Sequence, residues 1–373
     1  MKKVLLKVAV ASFVVVTGLA FVACPNNVNG PSSGSGVAPA ETLEKPVGVN
    51  PFKGKKYSKA QYEQYRFKDS DECIVEQWIK RGSSSNFELN VEYKYTYDTE
   101  KNTLTLAKNR VQQQMSDEVI DVQFEYQRKK LEYQYATLKG ETATQPTSPS
   151  SQSSWYGWYT YSELKAQYQK VVDKWQPLYD EYIAKFEALL NDSQYAGKKT
   201  QIEAGISNLK QEKQTFSASA ITSGLASAFG EPDVYKYAVN GTNLTLTQQY
   251  SGKLDSKNYY SWNAKSASGI VSLSISSGSY FSFSGNSKYV TVQYATISNG
   301  TISGTYYKSQ SGSTTAVQIP VSLAYSTTGS GNDTKLKINF TNAPDDLKAL
   351  VENAAELEFS YVPTVRNWTE ITE

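Results

Sequence analysis

Two thiols, no imidazole and 36 carboxylate side chains make up the reactive inventory of this 373-residue chain. The first thiol, Cys24, closes a segment built to be cut. Lys2 and Lys3 open it, and an apolar run from Val4 to Val22 follows, interrupted by Lys7, Ser12, Thr17 and Gly18. Ala23 then supplies the small residue that a signal peptidase needs before the cut. About 20 apolar residues are enough to span a bilayer. Against a permanent span stand Lys7, the absence of a basic stop, and the polar Cys-Pro-Asn-Asn that comes next. An ordinary signal peptide would need no cysteine at the cleavage point, so the pair Ala23 and Cys24 is read as cleavage site and modification site.

The second thiol, Cys73, lies in Glu72-Cys73-Ile74-Val75-Glu76-Gln77-Trp78-Ile79. That run reads as a strand and the cysteine as a small buried hydrophobe. With Cys24 committed elsewhere, no internal disulfide framework is expected. The lack of any histidine removes Ser/His/Asp and Cys/His catalysis and nearly every ordinary zinc constellation. A hydrolase built on two carboxylates stays open, because it needs only two acids roughly 5 to 10 Å apart. The run Lys68-Asp69-Ser70-Asp71-Glu72 is too short for a calcium loop and has no central glycine. It reads as a solvated connection. No catalytic residue and no metal ligand is assigned. Trp155, Trp158 and Tyr159, in Trp-Tyr-Gly-Trp-Tyr-Thr-Tyr, are the candidate ligand contacts, since flat aromatics on a loop stack on sugars or anchor partners. The alternative is that these rings pack the helices onto the β-domain.

The segment ending Phe21-Val22-Ala23-Cys24 resembles the signals of bacterial lipoproteins, in the looser form found in spirochaetes. The resemblance implies a diacylglycerol on the Cys24 sulfur and an acyl chain, such as palmitate, on its amino group, with no other cofactor. Two or three chains on one residue satisfy the need for more than one lipid signal. The implied location is the cell envelope. Pro25 stands where lipoproteins retained in the inner membrane of enteric bacteria carry aspartate, which favours the outer membrane. Residues 52–57, Phe-Lys-Gly-Lys-Lys-Tyr, resemble the opening of lipocalin-like barrels, with Tyr57 where a tryptophan would stand. That resemblance implies a small apolar ligand in a barrel mouth.

Removing residues 1–23 takes away Lys2, Lys3 and Lys7 and leaves 35 basic against 36 acidic side chains. Such a balance predicts no nucleic-acid partner, which would call for a basic surface stripe. Residues 24–50, without aromatics and rich in Pro, Gly, Ser and Asn, read as a lipid-anchored flexible tether with a span of about 25 to 30 Å. Period-2 alternation in Phe87, Leu89, Val91, Tyr93, Tyr95 and Tyr97 predicts a half-buried strand, turned at Asp98–Asn102 into Thr103–Leu106. Short β runs with turns such as Asn240-Gly241 and Asn299-Gly300 recur from Val234 to Val362. Pro320 demotes its run to an edge or bulge.

Between these β blocks the period changes. Ser116 caps a first helix that Gly140 ends. Residues 141–154 form a low-complexity linker, and Thr160 with Glu163 offers a capping box for a helix carrying Leu164, Tyr168, Val171, Trp175, Leu178, Tyr182 and Phe186. Pro177 predicts a kink in it. A third helix follows Gly197.

The chain is therefore expected to be mainly β with a helical insertion (α+β). An antiparallel barrel or sandwich from 51–115 and 233–373 would carry a two- to three-helix antiparallel arm at 116–232. Tyr93-Lys94-Tyr95…Thr103-Leu104-Thr105-Leu106 is echoed by Tyr235-Lys236-Tyr237…Asn243-Leu244-Thr245-Leu246, which marks either two repeated β-domains flanking a helical linker or two hairpins of one sheet system. The second is preferred because the first β block is too small to bury a core alone. The expected function is binding or structural, at a membrane reached through Cys24, with a protein, carbohydrate or small apolar ligand as partner. The alternatives are a lipocalin-like carrier and a carboxylate-dependent glycosidase.

Overall fold

The computed structural model describes residues 38–81, 86–252, 254, 260–276, 280–308 and 316–372. Ala23 and Cys24 lie outside them. The described residues divide into two compact units, 112–228 and 38–111 with 229–372. Five strands come first: β1 (Lys56–Lys59), β2 (Glu63–Phe67), β3 (Ile74–Ile79), β4 (Glu88–Asp98) and β5 (Thr103–Gln114). Next come α1 (Asp117–Lys139), β6 (Tyr156–Tyr159), α2 (Tyr161–Leu190), α3 (Lys199–Gln214) and α4 (Ala218–Phe229). Then β7 (Asp233–Asn240) and β8 (Asn243–Gln248) precede β9 (Tyr260–Lys265), β10 (Ile270–Ser276), β11 (Tyr280–Gly285) and β12 (Lys288–Ser298). The chain continues with β13 (Thr301–Lys308), β14 (Val317–Thr328), β15 (Lys335–Asn339), α5 (Asp345–Leu350), β16 (Glu356–Val362) and β17 (Val365–Glu370).

The fold is mainly β with helices, as expected, but the β part is two barrels. The first has the order β4-β3-β2-β1-β17-β8-β7-β5 and closes through β4 and β5. The second, β9 to β16, is a meander that closes when β16 pairs β9. Each ring has eight antiparallel strands, the number at which inward side chains just fill the interior. The two echoed hairpins, β4–β5 and β7–β8, are neighbours in the first ring, joined where Thr103–Leu106 pair Asp233–Lys236. A single β body was expected because short strands at even spacing look alike whichever ring they join. What separates the rings is β17, which leaves β16 and inserts between β1 and β8.

Local corrections follow from turn chemistry. The run from Tyr57 to Phe67 is two strands, turned where Ala60 takes φ of 53°. Cys73 precedes β3 at φ of 54° instead of lying inside it, and is buried. Asn299 (φ 49°) and Gly300 (φ 73°) are both left-handed, as a tight hairpin turn between β12 and β13 requires. Pro320 pairs Thr305 on one side only, since β14 meets β15 at Tyr325–Thr328, so its missing N–H is harmless. Part of the expected tether is docked. Val47 N donates to the Tyr97 carbonyl at 2.8 Å, the Val47 carbonyl accepts from Thr99 N at 3.1 Å, and Asn50 donates to the Tyr95 hydroxyl at 2.8 Å. Phe52 then stoppers that end of the first barrel, 5.0 Å from both Phe67 and Tyr237.

In the helical unit the caps form as read. Ser116 Oγ accepts from Val119 N at 3.3 Å, Gly140 takes φ of 84°, and Thr160 and Glu163 make the full capping box. The α2 helix continues through Pro177 as one element. The arm is not a purely antiparallel set. Contacts of α1 with α2 rise together along both helices: Asp117 with Lys170 at 2.7 Å, Asp121 with Lys174, Gln127 with the Tyr179 hydroxyl at 2.8 Å, Tyr135 with Phe186. The two are parallel. The linker makes this geometry, because Pro146, Thr147 and Pro149 run back along Asp121, Glu125 and Lys129 of α1. By contrast α3 is antiparallel to α2, through Asp180 with Lys213 at 2.5 Å and Glu187 with Lys210 at 2.9 Å. A fourth helix, α4, which was not expected from the sequence, buries Ile221, Leu225 and Phe229 at spacings of four.

Because β5 and β7 are hydrogen-bonded neighbours, residues 112–228 enter and leave across one antiparallel pair. Replacing them with a short Gly/Asn turn is expected to leave both barrels folded. Far-ultraviolet circular dichroism would check this: a cooperative β-type melt is the expected result, and loss of the β signal would contradict it.

Candidate functional site

Along several strands of the first barrel the inward positions are apolar or tyrosine, and then change type at one end. On β2, Phe67 and Tyr65 give way to Glu63; on β3, Val75 gives way to Gln77. On β7, Tyr235 is preceded by Asp233, and on β17, Trp368 is preceded by Arg366. Lys108 on β5 stands opposite Tyr93, beside a bulge. The result is a charged layer of Glu63, Lys108, Asp233 and Arg366 above a floor of Tyr65, Tyr93 and Tyr235.

These groups compensate one another. Gln77 Nε2 donates to Glu63 Oε1 at 2.5 Å, and Gln77 Oε1 accepts from Asn90 Nδ2 at 3.0 Å. Burial raises the Asp233 carboxyl above its ordinary pKa, against the pull of Arg366 and Lys108. Burial likewise lowers the Lys108 ammonium. Burial also works against the Arg366 guanidinium, but Tyr235, Tyr65, Glu63 and Asp233 hold its pKa above the usual value. Burial drives the Tyr65, Tyr93 and Tyr235 hydroxyls well above 10, so they stay protonated. Two carboxylates do therefore share a neighbourhood, as a glycosidase needs, but both face Arg366. Two surface clefts of about 390 and 490 Å³ are lined by other residues.

The second barrel is filled along its axis. Trp262, Leu273, Ile275, Phe281, Phe283 and Phe359 have no exposed surface. Leu347, Leu350 and Val351, from α5 and the residue after it, are buried in the same core. Glu352 ties that segment to the sheet, accepting from Ser268 N at 3.0 Å and Asn286 Nδ2 at 2.9 Å. At the end of the barrel where β9 begins, Tyr250, Tyr260, Trp262 and Tyr361 form a four-ring cluster with centroids 4.9 to 5.8 Å apart.

The candidate aromatics do not converge on a surface. Trp155 is buried, with its carbonyl accepting from Ser116 N at 3.3 Å, so it packs the helical unit. Trp158 and Tyr159 are half-buried in β6, and the exposed ring of the motif is Tyr156. The Cys73 thiol is pushed up by burial. Lys68, Asp69, Ser70 and Glu72 line the 390 Å³ cleft with Glu92 and Asn109, whereas Asp71 pairs Lys53 at 2.8 Å. Among the described residues no three Cys, Asp or Glu side chains group to hold a metal, and no helix is long and apolar enough to cross a membrane. The charged layer escaped the sequence because its members are single charges spread from residue 63 to residue 366. The available signal was an acid or base at an inward position of an alternating run, as at Asp233 ahead of Tyr235. Neither protein-family models nor curated proteins nor solved structures give a match to this chain.

Proposed function

We propose that the protein is held in the cell envelope by lipid on Cys24, the outer membrane being favoured, and works there by binding, without catalysis. The observation that carries this reading is the filling of both barrels by their own side chains. Trp262, Phe281 and Phe283 occupy the second axis, and Phe52, Tyr65, Trp368 and the charged layer occupy the first. This favours recognition on outer surfaces over a carrier with a ligand inside the barrel. The mutual compensation of Glu63, Asp233, Arg366 and Lys108 favours a structural network over an acid and base serving a substrate.

Two measurements test it. Cells expressing the chain and fed radiolabelled palmitate are expected to label it, and Cys24→Ser is expected to abolish the label; an equally labelled Cys24→Ser chain refutes the anchor. Titration with an apolar fluorescent probe, 1-N-phenylnaphthylamine, is expected to give no saturable signal. One-to-one binding would favour the carrier.

A further inference from the structure

From residue 256 to residue 332 the sequence contains no aspartate or glutamate, although the chain has 36. This stretch builds most of the second barrel. Alternation sends Val271, Leu273, Phe281, Phe283, Val290 and Val292 inward. The outer face is hydroxyl-bearing, with the cross-strand rows Ser272–Ser284–Tyr289 and Ser274–Ser282–Thr291 running over β10, β11 and β12.

Three tyrosines stand exposed on this neutral ground. Tyr289 is 66% exposed, yet its hydroxyl donates to Ser282 Oγ at 3.0 Å, diagonal to its own partner Ser284. The ring is thus laid across the sheet with one face to solvent. Ser282 Oγ lies 3.2 Å from Thr291 Oγ1, which extends the hydroxyl network beneath it. Tyr294 sits in the bulge between Gln293 and Thr296 at φ of 53°, a conformation aromatic residues rarely adopt. The bulge turns Ala295 into the core and leaves Tyr294 63% exposed, edge-on to Tyr307 at 6.3 Å. Bulges that re-aim a side chain are built features of a sheet. Tyr280, on β11, is 38% exposed.

We propose that this outer face of β10–β13 docks a neutral polysaccharide. The inference rests on the binding reading above and names its partner class. Flat rings held against a sheet match the C–H faces of sugar rings, and serine and threonine hydroxyls both donate and accept toward sugar hydroxyls. An anionic partner would demand a cationic cluster. Here Lys288 and Lys308 lie at strand ends, and Lys308 is already paired with Asp346 at 2.8 Å. Tyrosine is also enriched at protein interfaces, so capture of a protein by this face is the outcome that competes with glycan retention in the test.

Cosedimentation of the full chain, in a non-glycosidic detergent, with insoluble cellulose, curdlan or chitin tests the proposal. Retention on at least one is expected, with none on heparin-agarose. Tyr289→Ala with Tyr294→Ala is expected to lower the bound fraction about tenfold, as loss of two anchoring rings does at an interface. Ser274→Glu with Thr291→Glu keeps the rings, charges the ground between them, and is expected to do the same. Unchanged thermal melts confirm that both variants fold. No retention on any neutral glycan, retention untouched by both variants, or capture of a protein by this face without glycan retention would each overturn the proposal. Release of soluble sugar would overturn the non-catalytic reading instead, leaving the surface assignment to the tyrosine variants.

Discussion

Trp368→Ala is expected to cost the first barrel about 3 to 5 kcal/mol, the range for emptying a large aromatic site in a packed core. Trp368 is 1% exposed and stacks on Tyr65 at 4.5 Å with ring planes 19° apart. It also belongs to the strand on which closure depends. β17 pairs β8 over five residue pairs but β1 over only Tyr57↔Glu370 and Ser58↔Thr369. Side-chain packing must therefore hold the seam that hydrogen bonds hold elsewhere. A urea titration would show a lower midpoint with an unchanged slope. Trp368→Phe should retain most of the stability. A Trp368→Ala midpoint equal to that of the parent would show that the seam is held by something else.

Arg366→Met is expected to have the next largest effect, about 3 kcal/mol at pH 7, because it leaves half-buried carboxylates without their main counter-charge. The pH dependence has a definite sign. The folded-state pKa of Asp233 is raised, so folding favours its protonated form. Its contribution to stability is greatest below the ordinary carboxylate value and is lost as pH rises through the raised one. Removing Arg366, which pulls that pKa down, raises it further and widens the window. The variant should therefore regain stability on acidification more than the parent does. Asp233→Asn in the same background should restore much of the loss at pH 7 without acid. A double variant as unstable as Arg366→Met alone would show that the two groups are not coupled.

Local structure was legible wherever one residue type dictates it. Ser116, Gly140 and the Thr160–Glu163 box bounded two helices, and Asn299-Gly300 made a hairpin turn, because capping and left-handed backbone each have few chemical solutions. Alternation in Val91, Tyr93, Tyr95 and Tyr97 revealed a strand and its inward face. Pairing beyond hairpins was not legible. Nothing in Val365–Glu370 says that it leaves the meander for a strand some 300 residues earlier, and nothing in 141–154 says that it runs back along α1. Both facts depend on which surfaces fit, not on periodicity. The charged layer was hidden for the same reason. Glu63, Asp233 and Arg366 become neighbours only once the ring is closed, whereas Trp155, conspicuous among its aromatic neighbours, is an ordinary core residue.

The return of β17 also sets a timetable. The second barrel runs unbroken from Tyr260 to Val362 and needs nothing outside that stretch to complete its ring. The first barrel cannot shut until Glu370 reaches Tyr57. At about 5 to 20 residues per second, the ribosome spends roughly 15 to 60 s between making those two residues. Throughout that interval β1 has an unpaired edge, and the nascent chain is open to chaperones or to a translocation channel. The first five strands thus stay threadable while the rest of the chain is still being made.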